Sequence, residues 1–217
     1  MAPASVYWED IVIKQPTVGI VLAAGMSTRM GRAKQLLEIA GKPLLTRVVS
    51  AALESSLAKV VLVLGHEAQK LKTALGPIGR CERLQIVINE GYQAGMAGSL
   101  QAGLRSIKGQ FPSVMFLLID QPLIDAGAIN LLLHRFWETD KGICLPKQGN
   151  RPGNPVCFSS FFYEEILRIQ GDKGARELIQ KHADDVLFVE SDNPCFFTDL
   201  DSAEDLERLS AIHPDFF

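Results

Sequence analysis

Val18-Gly-Ile-Val-Leu-Ala-Ala-Gly25-Met-Ser-Thr-Arg29-Met-Gly31-Arg32-Ala-Lys34-Gln-Leu-Leu37 decides the fold. Its apolar start, Val18 to Ala23, has the length and composition of a buried parallel strand, and it breaks at Ala24-Gly25 into a loop carrying Arg29, Arg32 and Lys34. A glycine loop at the end of a strand lets main-chain N–H groups approach phosphate oxygens with no Cβ in the way. Arginine and lysine then supply the countercharge. The spacing excludes the two commonest phosphate loops. Five residues separate Gly25 from Gly31 where a Walker loop has four, Gln35 rather than Ser or Thr follows Lys34, and no Gly-x-Gly-x-x-Gly occurs. The plainer account of the same residues is a βα turn with a solvated basic face. Three cations within six residues favour the anion site.

Outward from this stretch, apolar β-rich runs alternate with helical periodicity. Strands are expected at Val18–Ala23, Val60–Leu64, Leu84–Ile88 and Val114–Ile119, and helices at Leu44–Ser56, Glu67–Leu75, Gly98–Ser106 and Ala126–Glu138. This βα alternation implies a single α/β domain: a three-layer α/β/α arrangement around a mostly parallel, Rossmann-like sheet with right-handed crossovers. After Lys141 the rhythm changes to short strands at Ile143–Leu145 and Pro155–Phe158, helices at Phe162–Arg168 and Gly174–Lys181, a strand at Val186–Val189 and a helix at Ala203–Ala211. These should extend the same sheet. Ligands of open α/β sheets sit beyond the carboxyl ends of the strands, so the Ala24 loop, Gly65-His66, Asn89-Glu90-Gly91 and Asp120-Gln121-Pro122 should line one crevice.

With 217 residues, 47% apolar and 22% charged, the chain suits one globular domain. A net charge of −3 argues against a nucleic-acid partner, which needs a broad basic surface. Cys81, Cys144, Cys157 and Cys195 are widely spaced and match no zinc pattern, so buried free thiols in a reducing cytoplasm are expected. No apolar run reaches membrane-span length, and Met1–Pro16 lacks the pattern of a signal peptide. Residues 1–17 read as an N-terminal extension to a domain over 18–217, and the protein is expected to be cytoplasmic with no membrane partner.

Asp120 directly follows Val-Met-Phe-Leu-Leu-Ile, at the end of a buried strand. Two roles fit it: a Mg²⁺ ligand, since Mg²⁺ takes hard oxygens, or a turn aspartate before Pro122. Asp199 and Asp201 alternate in an extended segment and so face one side. Ser202 and Asp205 have the spacing of a capping box, which does not account for Asp199 or Asp201, either of which could take metal or water. Gly149–Pro155, Gly171–Arg176 and Gly95–Ser99 are glycine-rich segments that serve equally as plain loops and caps or as anion-receiving turns. The four histidines have no metal spacing, and without Gly-x-Ser-x-Gly or an activated cysteine a covalent hydrolase is unsupported.

Together these segments resemble the molybdenum-cofactor nucleotidyltransferases, in particular the molybdopterin cytidylyltransferase branch of the MobA-like NTP transferases. The resemblance runs from Val18 to about Leu209. It rests on Leu22-Ala-Ala-Gly-Met-Ser-Thr-Arg-Met-Gly31 with Lys34-Gln-Leu-Leu37, Gly95-Met96 with Ser99-Leu100, Asp120-Gln-Pro-Leu123, Gly153-Asn-Pro-Val156, Gly171-Asp-Lys-Gly-Ala-Arg176 and Asp199-Leu-Asp-Ser-Ala-Glu-Asp-Leu206.

The resemblance implies the nucleotide-diphospho-sugar transferase type of fold and transfer of a nucleoside monophosphate with release of pyrophosphate. It implies catalytic roles for Arg29, Lys34 and Asp120, and nucleotide contacts from Leu22, Ala23, Ala24, Gly25, Gly65, Asn89, Gly95 and Ser99. Arg151, Gly153, Asn154, Pro155, Asp172, Gly174 and Arg176 would face the acceptor, and Mg²⁺ would bind Asp120 with Asp199 or Asp201. Ala24, where guanylyl-transferring relatives tend to have a second glycine, resembles the CTP-using version, with GTP as the alternative. The implied acceptor is a phosphorylated pterin, with another phosphorylated acceptor such as a polyol or sugar phosphate as the alternative, and a molybdoenzyme recipient or maturation chaperone is the implied downstream partner. A non-catalytic molybdenum-cofactor delivery protein is the other reading. Ile119, Ala97-Gly98, Asn154 and Glu38 depart from the usual family residues and bear on base and acceptor more than on reaction class.

Overall fold

The computed structural model describes residues 15–27, 33–107, 109–171 and 174–212. Arg29, Gly31, Arg32, Asp172 and residues 1–14 of the expected extension lie outside the described residues. Seven strands form the main path of one sheet: β1 (Thr17–Ala23), β2 (Lys59–Leu64), β3 (Leu84–Ile88), β4 (Ser113–Leu118), β5 (Ile143–Gln148), β6 (Val156–Ser159) and β7 (Val186–Glu190). Their spatial order is β7-β5-β6-β4-β1-β2-β3, with the short strand Arg151–Pro152 added on β5. All pairings along the path are parallel except those of β6, which runs antiparallel to both β4 and β5. The expected mostly parallel α/β sheet is present, and the second half of the chain widens it.

β1 lies at the centre because every residue in it is buried, as both faces of a central parallel strand require. Its side chains alternate between two apolar layers. Val21 and Ala23 pack with helices α1 (Leu44–Glu54) and α4 (Ala126–Trp137), while Val18, Ile20 and Leu22 pack with α3 (Met96–Ser106). β2 and β4 repeat the alternation: Leu62 and Leu117 join the first layer, Val63 and Phe116 the second. Gly103 lets α3 sit close on the sheet, because a Cβ there would lie 2.5 Å from Ile20 Cγ2 and 3.1 Å from Val63 Cγ2.

The structure moves several element ends. The strand before Asp120 stops at Leu118, so Ile119 already belongs to the turn. α3 starts at Met96 instead of Gly98, because Gly95 adopts φ 103° and turns the chain into the helix. The helix expected over Phe162–Arg168 is a single turn, Tyr163–Ile166, after a 3₁₀ turn at Ser160–Phe162. Among the described residues no helix is long and apolar enough to cross a membrane.

Gly103→Val would drive a branched side chain into Ile20 and Val63. Overpacking there should lower the unfolding free energy by about 2 kcal/mol, read as a lower denaturation midpoint at unchanged slope. An unchanged midpoint would mean that α3 does not rest on β1 as described.

Candidate active site

β1 delivers the chain into the loop from Ala24, and a 3₁₀ turn at Lys34–Leu36 brings it back beneath that loop. Successive residues of a 3₁₀ turn point about 120° apart, so Lys34 and Gln35 face different ways. Gln35 is buried, and its amide Nε2 donates to Ala23 O at 3.2 Å and Gly25 O at 2.9 Å. Ser27, at φ 54°, donates its hydroxyl to Gln35 Oε1 at 3.3 Å and accepts the Lys34 N–H at 3.1 Å. Lys34 instead reaches the cleft, where its ammonium donates to Asp120 Oδ2 at 2.8 Å and Asp201 Oδ1 at 3.1 Å.

Two separate parts of the chain supply those carboxylates. Asp120 follows β4, and its carbonyl accepts the Leu200 N–H at 2.8 Å, which pins the 199–201 segment beside it. The capping box at the start of α7 (Ala203–Ile212) fixes the far side of that segment. Asp205 accepts from the Asp201 and Ser202 N–H groups, and Ser202 Oγ accepts from Asp205 N. Burial opposes the charge on Lys34, but the Asp120 and Asp201 carboxylates outweigh it and hold the ammonium above the ordinary lysine range. Asp199 keeps an exposed surface toward the cleft, yet its carboxyl is pushed up to about 6. Desolvation is the larger cause, the Asp120 and Asp201 charges add to it, and Arg151 and Lys34 oppose it.

These groups share a cleft of about 800 Å³ whose wall includes Leu22, Ala24, Gly25, Gly95, Ser99, Asn154 and Arg176. Arg151 and Gly153 instead line an adjoining cavity of about 850 Å³ that shares Asn154, Arg176 and Asp199 with the cleft. The expectation that all four strand-exit segments form the crevice needs correction for two of them. Gly65 sits behind the wall, where an added Cβ would lie 2.6 Å from Tyr92 Cβ and 2.9 Å from Ala24 Cβ. Asn89 also stands a layer back and donates to Ser99 Oγ at 3.1 Å while accepting the Gly91 N–H. Ala23 and Pro155 are buried, and Gly174 packs toward Met96. Ser27, Gln35, Tyr92 and Met96 line the cleft although sequence reasoning assigned them no role. Gln35 was the one with a signal, since it adjoins Lys34 in a turn whose successive residues face different ways.

The donor set at this edge bears on whether a divalent cation can sit there. Asp120 Oδ1 is buried and has no hydrogen-bond partner among the described residues, an acceptor that a hard cation would satisfy. Among the described residues no three His, Cys, Asp or Glu side chains converge into a closed cage. Mg²⁺ is usually held by one or two carboxylates together with substrate phosphates, and the open Asp120 oxygen supplies one such ligand. The residues fit such an ion.

A lysine-bearing turn and a group of carboxylates beyond the carboxyl edge of a mostly parallel sheet define a nucleotidyltransferase-type site on a nucleotide-diphospho-sugar transferase fold. Residues 19–186 match the MobA-like NTP transferase domain, and the chain belongs to that family. It is 29% identical over 160 residues to a probable molybdenum cofactor guanylyltransferase of Thermococcus sibiricus, covering 72% of this chain and 75% of that one. Bifunctional protein GlmU of Anaeromyxobacter sp. strain K is 36% identical over 122 residues, 55% of this chain; the chain spans only 25% of that relative's length. The structure of Rv0371c from Mycobacterium tuberculosis in complex with manganese superposes with a TM-score of 0.74 at 26% identity, covering 89% of this chain and 97% of that one.

A carboxyl raised from 3.8 to about 6 by folding makes its ionised form a burden on the native state. The destabilisation is absent below 3.8, builds as pH rises from 3.8 to about 6, and is fully present above that. Asp199→Asn should therefore raise the melting temperature at pH 7.5 in metal-free buffer, with the gain fading toward pH 4. Equal melting curves at pH 7.5 would show that Asp199 is not crowded by Asp120 and Asp201.

Proposed function

We propose that this protein transfers a nucleoside monophosphate from an NTP to the terminal phosphate of a pterin acceptor, with Mg²⁺ and with release of pyrophosphate. The observation that carries the reading is the Lys34 ammonium set between Asp120 and Asp201, with one Asp120 oxygen left over. A triphosphate entering the cleft finds a cation for its oxygens and a carboxylate for its counter-ion. The acceptor phosphate is already anionic at neutral pH, so no general base is needed. Its oxygen forms a new bond to the α-phosphorus as the α–β bridging bond breaks, and the electron pair leaves on pyrophosphate.

Lys34 and Arg29 then carry the work of charge relief, Lys34 at the leaving phosphates and Arg29 along the triphosphate. Asp120, joined by Asp199 or Asp201, would hold Mg²⁺, which supplies Lewis-acid neutralisation and a template for in-line alignment. Asn154 and Arg176 stand where the cleft meets the adjoining cavity, which suits an acceptor approaching the α-phosphate from the Arg151–Gly153 side. Asp172 and Gly174 belong to the same acceptor-side segment.

CTP is the favoured donor, because Ala24 stands where guanylyl-transferring members of the family tend to have a second glycine. The guanylyltransferase name of the Thermococcus relative favours GTP as the second reading. Reaction in the cytoplasm and hand-over of the product to a molybdoenzyme complete the proposal.

Pyrophosphate release from each of CTP, GTP, ATP and UTP with molybdopterin and Mg²⁺ tests it. CTP should dominate, and Asp120→Ala or Lys34→Ala should each lower the rate by about 10²–10³. Full turnover by Asp120→Ala would contradict the reading. Saturable cofactor binding with no pyrophosphate from any nucleotide would favour the delivery protein instead.

A further inference from the structure

The residue that shapes the loop after β1 is not one of the charged ones. Three successive carbonyls there are held from outside the strand. Gln35 Nε2 takes Ala23 O at 3.2 Å and Gly25 O at 2.9 Å, and the His66 N–H takes Ala24 O at 3.2 Å. In a trans peptide the N–H points opposite to the C=O of the same unit. Fixing Ala23 O and Gly25 O on Gln35 therefore turns the N–H groups of Ala24 and Met26 away from Gln35. A backbone that exposes aligned N–H groups is what an anion-binding turn requires.

The same side chain governs Lys34. Gln35 Oε1 accepts the Ser27 hydroxyl at 3.3 Å, and Ser27 Oγ accepts the Lys34 N–H at 3.1 Å. This closes a ring from β1 through the loop to the lysine backbone. Gln35 is 1% exposed, so its amide has no water to fall back on, and both ends of it are used within this ring. A leucine or methionine of similar size would pack equally well and hold none of these groups.

We propose that Gln35 is a positioning residue of the triphosphate site: it orients the Ala24–Met26 backbone toward substrate phosphates and aims Lys34 between Asp120 and Asp201. The inference rests on the nucleotidyltransferase reading above. It places Gln35 in a role distinct from the residues that touch substrate, since it acts through the loop and the lysine.

The test uses the full chain and compares Gln35→Met, which keeps the bulk, with Gln35→Glu, which keeps the shape but loses both amide donors. Ser27→Gly opens the ring at its second member while suiting the backbone, because Ser27 already adopts φ 54°. Nucleotide affinity is read directly by titrating Mg²⁺–CTP and Mg²⁺–GTP, and kcat and KM are read for nucleotide and acceptor separately, alongside melting curves. Gln35→Met and Gln35→Glu should weaken nucleotide binding and raise nucleotide KM about ten- to a hundredfold, with acceptor KM unchanged and a cooperative melt retained. Ser27→Gly should give the same pattern at about three- to tenfold. Nucleotide affinity within twofold of the parent in a folded variant would overturn the proposal. So would a loss of activity that follows the melting temperature with both KM values unchanged, because that is the mark of a structural residue alone. Should the Gln35 variants not fold, Ser27→Gly decides in either direction. If the parent chain binds nucleotide but releases no pyrophosphate, the catalytic reading fails while the affinities still judge Gln35.

Discussion

One ammonium between two carboxylates organises this molecule's functional edge. Lys34 comes from the turn after the first strand, Asp120 from the end of the fourth, and Asp201 from the segment before the last helix. Three remote parts of the chain meet there only if the parallel strands are in register and their carboxyl ends align. The sheet supplies that alignment: β1 pairs with β4 from Thr17↔Ser113 to Leu22↔Leu118, so the two exits lie side by side. A shift by one residue would exchange the two faces of β4 and carry Met115 and Leu117 out of their apolar layer. Core packing and site geometry are thus one constraint.

The charge balance in the cleft explains why a protein with net charge −3 can still be built for a polyanion. The acidity of the cleft comes from Asp120, Asp199 and Asp201, and desolvation together with the Asp120 and Asp201 charges raises the Asp199 carboxyl to about 6. Lys34 offsets part of that repulsion, and a divalent ion with a triphosphate would replace one set of ionic contacts by another without leaving a bare charge. Ion pairs as exposed as Lys34 with Asp120 and Asp201 add little net stability. Their presence at the open edge of an otherwise apolar sheet is better explained by chemistry than by folding.

Much of this was legible in the residues. The strand before Ala24 was evident from an unbroken apolar run, and Asp120 from its place after Val-Met-Phe-Leu-Leu-Ile, because a buried strand has to deliver its next polar residue at the sheet edge. The Ser202–Asp205 capping box was readable because its partners are three residues apart, and both reciprocal hydrogen bonds are present. What depends on distant packing was not readable. Gly65 and Asn89 follow strands just as Asp120 does, yet Tyr92 covers the first and Ser99 engages the second, so neither reaches the cleft surface. The antiparallel insertion of β6 between β4 and β5 is likewise invisible to local periodicity, which reports burial but not pairing partner.

The most direct measurement is a crystal structure of the chain with Mn²⁺ and a non-hydrolysable CTP analogue, with the ion located by its anomalous scattering. The account predicts the ion on the carboxylate of Asp120, the triphosphate along the Ala24–Met26 backbone, and Lys34 Nζ on a phosphate oxygen. A nucleotide bound outside this cleft, or an ion remote from Asp120 with Lys34 turned away from the phosphates, would contradict it.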